Sequence, residues 1–201
     1  MSRLQRDAFS GPTTTVARRL LGCWLCHRVG DQIVRGRIVE VEAYTDDAAS
    51  HAAAGKRTRR NAVMFGPPGV AYVYFTYGMH HCFNVVTETT DVPGAVLIRG
   101  LDGIPGAAGP ARLCRTLGLS TRDTGRDLVT DPHLWIERHR RRRGERVIRT
   151  QRIGIRVATD LPWRYYLLGS SGVSKRDRRA EGGPRDTAAS PARTAPRARS
   201  A

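Results

Sequence analysis

Ile33-Val34-Arg35-Gly36-Arg37-Ile38-Val39-Glu40-Val41-Glu42-Ala43-Tyr44 is the stretch on which the reading of this chain turns. Its alternation has the period of an extended strand, on which successive side chains point to opposite faces. Ile33, Val39, Val41 and Ala43 share one face. Ile38, Glu40, Glu42 and Tyr44 share the other. A strand that aligns two carboxylates and a tyrosine on one side is not building an ordinary apolar core there. The reading therefore predicts a strand over residues 33–44 with a sheet core behind it and a polar site in front.

Further strands are expected around it. Residues 70–76 are aromatic and β-branched, residues 77–80 (Tyr77-Gly78-Met79-His80) read as a hairpin tip, and residues 82–87 return as a strand. Residues 95–101 carry Arg99 among Val96, Leu97, Ile98 and Leu101. Shorter strands are predicted over 134–137, 152–157 and 164–168. Helices are predicted over 14–21, with Val16, Leu20 and Leu21 buried, over 58–64, capped by Thr58, and from Pro110 to the stop at Gly118. Composition and periodicity thus predict a mixed α+β, strand-rich single domain over residues 11–174. Residues 1–10 read as a flexible lead-in, and residues 175–201, rich in Ala, Pro, Gly and Arg, as a disordered basic tail.

Charge narrows the partners. The 201 residues carry a formal net charge of +16, a field that attracts a polyanion. The charge does not separate DNA from RNA. The run from Arg138 to Arg143, interrupted only by His139, reads as a solvated loop. Of the four cysteines, Cys23 and Cys26 form a lone C-x-x-C with no second pair or suitably spaced histidines, so no metal site is predicted. Free thiols and the absence of a long apolar segment lead us to expect a cytoplasmic protein that stays off the membrane.

Five motifs follow one another: residues 37–44 with His51 after them, residues 61–69 (Asn61-Ala62-Val63-Met64-Phe65-Gly66-Pro67-Pro68-Gly69), residues 71–85 (Ala71-Tyr72-Val73-Tyr74-Phe75-Thr76-Tyr77-Gly78-Met79-His80-His81-Cys82-Phe83-Asn84-Val85), residues 94–99 and residues 109–114. In this order they resemble the alkyladenine (3-methyladenine) DNA glycosylases, with the likeness running from about Val16 to Ser174. The resemblance implies a curved, mostly antiparallel sheet forming an open barrel-like core with helices around it. It implies a monofunctional enzyme of base-excision repair, a monomer without metal or organic cofactor. Such an enzyme flips alkylated or deaminated purines, such as 3-methyladenine or hypoxanthine, out of duplex DNA and hydrolyses the N-glycosidic bond to leave an abasic site.

Residue by residue, the resemblance implies Glu42 as the carboxylate that activates water and Arg99 as its catalytic partner, with Glu40 structural. Tyr44, His51, Tyr74 and Asn84 are implied in the base pocket. Tyr77, assisted by Met79, is implied as the wedge that fills the gap left by the flipped nucleotide. Two connections are shorter than the family pattern, residues 45–50 before His51 and residues 100–108 after Arg99. They motivate the alternative of a non-catalytic nucleic-acid binder that keeps the fold.

Overall fold

The computed structural model describes residues 2–139 and 141–183, and the strand over residues 33–44 is its hub. In chain order the elements are α1 (Arg6–Phe9), α2 (Thr13–Leu20), β1 (Trp24–Val29), β2 (Gln32–Tyr44), β3 (Ala71–Thr76), β4 (His80–Val86), β5 (Ala95–Asp102), α3 (Pro110–Leu117), β6 (Leu134–Glu137), β7 (Val147–Thr150), β8 (Arg164–Leu167) and α4 (Arg178–Gly182). Every strand pairing is antiparallel, and the path through the sheet runs β3-β4-β5-β2-β1-β6, with β8 joining β2 and β7 joining β8. The result is a single mixed α/β domain whose curled sheet forms a half-barrel.

β2 is long enough to serve three partners. Residues Gln32 to Arg37 pair with β1, and Arg37 to Tyr44 pair with β5 on the opposite edge. Glu40, Val41 and Glu42 also pair with Tyr166, Tyr165 and Arg164 of β8. Where β2 passes from β1 to β8 its register against β5 shifts, between Ile38 and Glu40 and again between Glu40 and Val41. This bulge corrects the predicted facing of Ile38. An extra residue in a bulge breaks the alternation, and Ile38 joins Val39, Val41 and Ala43 in the apolar core rather than standing beside the glutamates. Leu20 of α2, Phe83, Ile98, Leu113 of α3 and Tyr165 pack into the same core. A second, smaller cluster around Met64, Phe65, Tyr72 and Val86 lies under the β3–β4 side.

Several expected boundaries move. The predicted helix over 58–64 is only a short turn over Ala62–Phe65, because Asn61 captures the local hydrogen bonds. Its Oδ1 accepts from the Thr58 amide at 2.6 Å, and its Nδ2 donates to the carbonyls of His51 and Lys56 at 2.7 and 2.9 Å. The strand expected over 152–157 is absent. Its neighbour β7 ends at Thr150, and the chain then loops back over β2, where Arg152 and Ile153 bond to groups of β2 and the loop after it instead of to a strand. Residues 2–10 are not the flexible lead-in expected, since Leu4 and Phe9 are buried and Arg6 pairs with Asp127. Residues 175–183 are tied down as well. Asp177 accepts from Thr150, and the Tyr166 hydroxyl donates to Glu181 at 2.9 Å. The rest of the expected tail lies outside the described residues. No helix among them is long and apolar enough to cross a membrane.

The β3–β4 hairpin closes with Tyr77 at φ +51° and Gly78 at φ +67°, the left-handed pair that suits the twist of a tight hairpin. On the other side of β5, the loop over residues 169–174 approaches the strand so closely that a Cβ on Gly100 would sit 2.0 Å from the Gly172 carbonyl oxygen. Neither backbone can yield cheaply. Gly100→Ala should therefore destabilise the protein by about 1–3 kcal/mol, the usual cost of forced overpacking. Urea unfolding of the variant checks this, and an unchanged midpoint would show that the loop is not anchored there.

Candidate active site

The alternation of β2 places Glu40 and Glu42 side by side on its polar face, and both are completely buried. Two adjacent buried carboxylates repel, and burial itself disfavours their charge, so the fold must supply cations and donors. Arg99, opposite them on β5, supplies the first. Its Nε donates to Glu40 Oε1 at 3.3 Å and its Nη1 to Glu42 Oε2 at 3.2 Å. Arg164 on β8 donates from Nε to Glu40 Oε1 at 2.7 Å. The Ser174 amide and hydroxyl donate to Glu40 at 2.6 and 3.0 Å. Glu40 is thereby enclosed by two arginines and a serine.

Glu42 is held differently. Its Oε2 accepts from the Tyr44 hydroxyl at 2.9 Å as well as from Arg99, and its Oε1 accepts from the Ile153 amide at 2.7 Å. Burial pushes the Glu42 carboxyl above its ordinary 4.5, an effect that Arg99, the Ile153 amide and the Tyr44 hydroxyl oppose without cancelling. Burial and the neighbouring Glu42 charge also hold the Tyr44 hydroxyl protonated, so it stays a donor.

Beside this cluster opens a pocket of about 360 Å³. Tyr44 and Arg99 form the wall nearest Glu42, while His51, Tyr74 and Asn84 line the rest and Tyr77 stands at its mouth. Glu42 itself lies behind the wall. The His51 and Tyr74 rings meet edge to face with centroids 4.5 Å apart, and His51 Nδ1 lies 2.9 Å from the Tyr72 hydroxyl. Burial and the nearby Arg60 push His51 below its ordinary 6.5, so the imidazole is neutral at pH 7. Asn84 donates through Nδ2 to the carbonyls of Tyr72 and Cys82 at 2.9 and 3.1 Å, which fixes the orientation of its amide. Tyr77 is 82% exposed and Met79 69% exposed. Of the residues the sequence singled out for the site, only Met79 stands apart from the pocket and its Glu42 wall, exposed beside the hairpin tip.

Sequence reasoning missed the support behind this wall. Arg152 is buried, with its guanidinium 4.6 Å from the centroid of Tyr44 and 5.3 Å from that of Trp163. It makes a two-pronged pair with Asp47, at 3.0 and 2.6 Å, and donates to the Ala43 carbonyl at 3.0 Å. One side chain thus backs the Tyr44 ring, ties down the loop after β2 and fixes the residue before Ile153, whose amide holds Glu42. The signal was present as an arginine next to Ile153-Gly154-Ile155, but an expected strand gave it no buried partner. The four cysteines are buried free thiols, and no three His, Cys, Asp or Glu side chains among the described residues converge as a metal site would require.

The family model of methylpurine-DNA glycosylase matches residues 7–108 and 104–171. The chain belongs to that family. A Synechococcus elongatus protein named "Putative 3-methyladenine DNA glycosylase" is 48% identical over 179 residues, covering 86% of this chain and 91% of its own length. Proteins of the same name from Carboxydothermus hydrogenoformans and Clostridium perfringens strain 13 are 42% and 34% identical, covering 86% and 87% of this chain and 99% and 100% of their own lengths. The two stretches matched by the methylpurine-DNA glycosylase model meet at residues 104–108, within the short connection that follows the β5 strand of Arg99.

Removing one partner of the Arg152–Asp47 pair strands a buried charge. Arg152→Met or Asp47→Ala should cost about 3–5 kcal/mol of stability, as breaking buried pairs generally does. Arg152→Lys should recover little, because an ammonium cannot make the two-pronged bond while stacking between two rings. Thermal and urea unfolding of the three variants provide the check.

Proposed function

We propose that this protein is a monofunctional DNA glycosylase that removes alkylated or deaminated purines, 3-methyladenine-like bases and hypoxanthine, from duplex DNA and leaves an abasic site. The observation that carries the reading is a buried carboxylate, Glu42, held by Arg99, Tyr44 and the Ile153 amide directly behind an aromatic pocket. A stacked base cannot reach such a pocket, so the nucleotide must swing out of the helix. That costs a few kcal/mol, and less for a damaged base. Tyr77, on the exposed and strained tip of the β3–β4 hairpin, is the side chain suited to fill the gap.

The chemistry follows from the donors. An ionised carboxylate offers about four acceptor sites, and three on Glu42 are taken. The remaining one, on Oε1, is the place for a water whose proton Glu42 accepts as that water attacks the sugar carbon. The same negative charge stabilises the cationic sugar that forms as the base departs. Arg99 and Tyr44 orient the carboxylate and keep it from facing Glu40 unshielded. Tyr44, Tyr74 and His51 present ring faces and edges that favour an electron-poor, alkylated purine through the attraction between cations and aromatic quadrupoles. The fixed Asn84 amide crowds the position where guanine would carry its extra amino group, a cost against normal bases.

One observation favours a second reading. Glu42 is as buried as Glu40 and shares Arg99 with it, as a purely structural ion network would have it. Glu42→Gln separates the two. As a general base, its loss should slow base release by about 10²–10⁴-fold while lesion binding persists; equal rates of release by variant and wild type would make Glu42 structural, and no release by either would leave only a binding protein. The pH dependence is a further check. Because the ionised carboxylate is the active form and its pKa is raised, single-turnover base release should fall as the pH drops through a value above the ordinary 4.5 of a glutamate. An acid limb at or below 4.5 would assign the rate to another group.

A further inference from the structure

His51 brings to the base pocket a nitrogen that bonds to nothing else. Its Nδ1 lies 2.9 Å from the Tyr72 hydroxyl, while Nε2 has no partner among the described residues. The residue lines the pocket and is exposed along it. Tyr72 decides what Nε2 offers a ligand. A neutral imidazole carries one N–H, and a phenol has one proton to give. When the phenol donates to Nδ1, the imidazole hydrogen sits on Nε2, which is then a donor. When the phenol accepts from Nδ1, Nε2 is left with a bare lone pair.

Arg60 selects between the two. The segment that carries it is tied to His51 by the next residue, Asn61, whose Nδ2 donates to the His51 carbonyl at 2.7 Å. The Arg60 guanidinium donates to the Phe75 carbonyl at 2.9 Å and lies 5.5 Å from the centroid of the Tyr74 ring. With Tyr72 and Tyr74 it lines a second cavity, of about 420 Å³, along β3. Burial pushes the Tyr72 hydroxyl up to about 12 against the charge and the side-chain hydrogen bond of Arg60, so the phenol keeps its proton. A guanidinium has five N–H groups and no lone pair to offer. It claims the phenol oxygen as an acceptor and leaves the phenol proton to His51. Burial and the same cation keep His51 neutral, so Nδ1 is free to accept.

We propose that Arg60 is a positioning residue that acts through Tyr72 to fix His51 as the tautomer with its hydrogen on Nε2, and that this N–H donates to an acceptor atom of the flipped nucleotide. The acceptor is an oxygen or ring nitrogen, carried by the base or by its sugar-phosphate. A cation outside the pocket thereby sets the polarity of a group inside it. The part played by the nucleotide rests on the reading of the protein as a DNA glycosylase; the tautomer does not.

The tautomer is read on the full chain without DNA, by long-range nitrogen–proton NMR at about pH 8, where imidazole is neutral. The His51 signals are assigned by their loss in His51→Phe. Wild type should show a protonated Nε2 and a bare Nδ1. Arg60→Met, a change at an exposed position, should raise the share of molecules with the hydrogen on Nδ1. A wild-type hydrogen on Nδ1, or the same tautomer ratio in Arg60→Met, would overturn the proposal. The functional arm is a double-mutant cycle. Arg60→Met should slow single-turnover release of hypoxanthine by about 2- to 10-fold, the worth of one neutral hydrogen bond. In the His51→Phe background it should cost nothing further, because the two residues act as one unit. An undiminished second loss would show Arg60 acting elsewhere, as on a DNA phosphate, and would also overturn the proposal. Affinity for a duplex with a stable abasic-site analogue locates the acceptor. If His51→Phe binds it as wild type does, the acceptor is on the base; if binding weakens by the same factor as release, it is on the sugar-phosphate, and either result supports the donor. A wild-type protein that releases no base from any lesion would sink the catalytic reading, and the NMR spectrum would still decide the tautomer.

Discussion

The architecture depends on one guanidinium. Arg99 lies between two fully buried carboxylates, Glu40 and Glu42, that the alternation of β2 brings to the same face. Without it the two negative charges would face one another in a medium that screens them poorly. With Arg164 on the far side of Glu40, the network contains two acids and two bases and is balanced. The balance dictates where the strands go. β5 must bring Arg99 to one edge of β2 and β8 must bring Arg164 to the other, while the loops over 151–155 and 169–174 must fold across the front to supply the Ile153 amide and Ser174. The sheet curls around this charge cluster as much as around its apolar core.

The two glutamates show how position divides roles between identical side chains. Glu40 is saturated by Arg99, Arg164 and Ser174 and has nothing to offer a substrate. Glu42 has one arginine contact, a phenol and an amide, and burial lifts its proton affinity. A carboxylate whose charge is incompletely compensated is a better proton acceptor than one locked between two cations. Tyr44 joins this electrostatic cluster to the aromatic pocket. Its hydroxyl serves Glu42, one ring face takes the Arg152 cation, and the residue forms part of the pocket wall.

Much of this is legible in the order of residues alone. The alternation over residues 33–44 reveals the shared face of Glu40, Glu42 and Tyr44, because a two-residue period is written directly into side-chain order. The Tyr77-Gly78 tip is legible for the same local reason. What stays hidden depends on contacts distant in sequence. The bulge that turns Ile38 into the core is set by pairing with β5 and β8, not by the composition of β2. The loop at Arg152 reads as a strand because its apolar alternation says nothing of Asp47, 105 positions earlier, which captures the arginine. The lead-in reads as loose because Leu4 and Phe9 find their partners only in the folded domain.

The claim on which the whole account rests is that the Glu42 cluster performs hydrolysis on a flipped purine. Its most direct test is single-turnover base release by the full-length protein from duplexes carrying hypoxanthine or 3-methyladenine, with the undamaged duplex alongside. The account predicts free base and an alkali-labile abasic site from at least one damaged duplex and none from the undamaged one. Tight, salt-sensitive binding to all of them with no base released from any would contradict it.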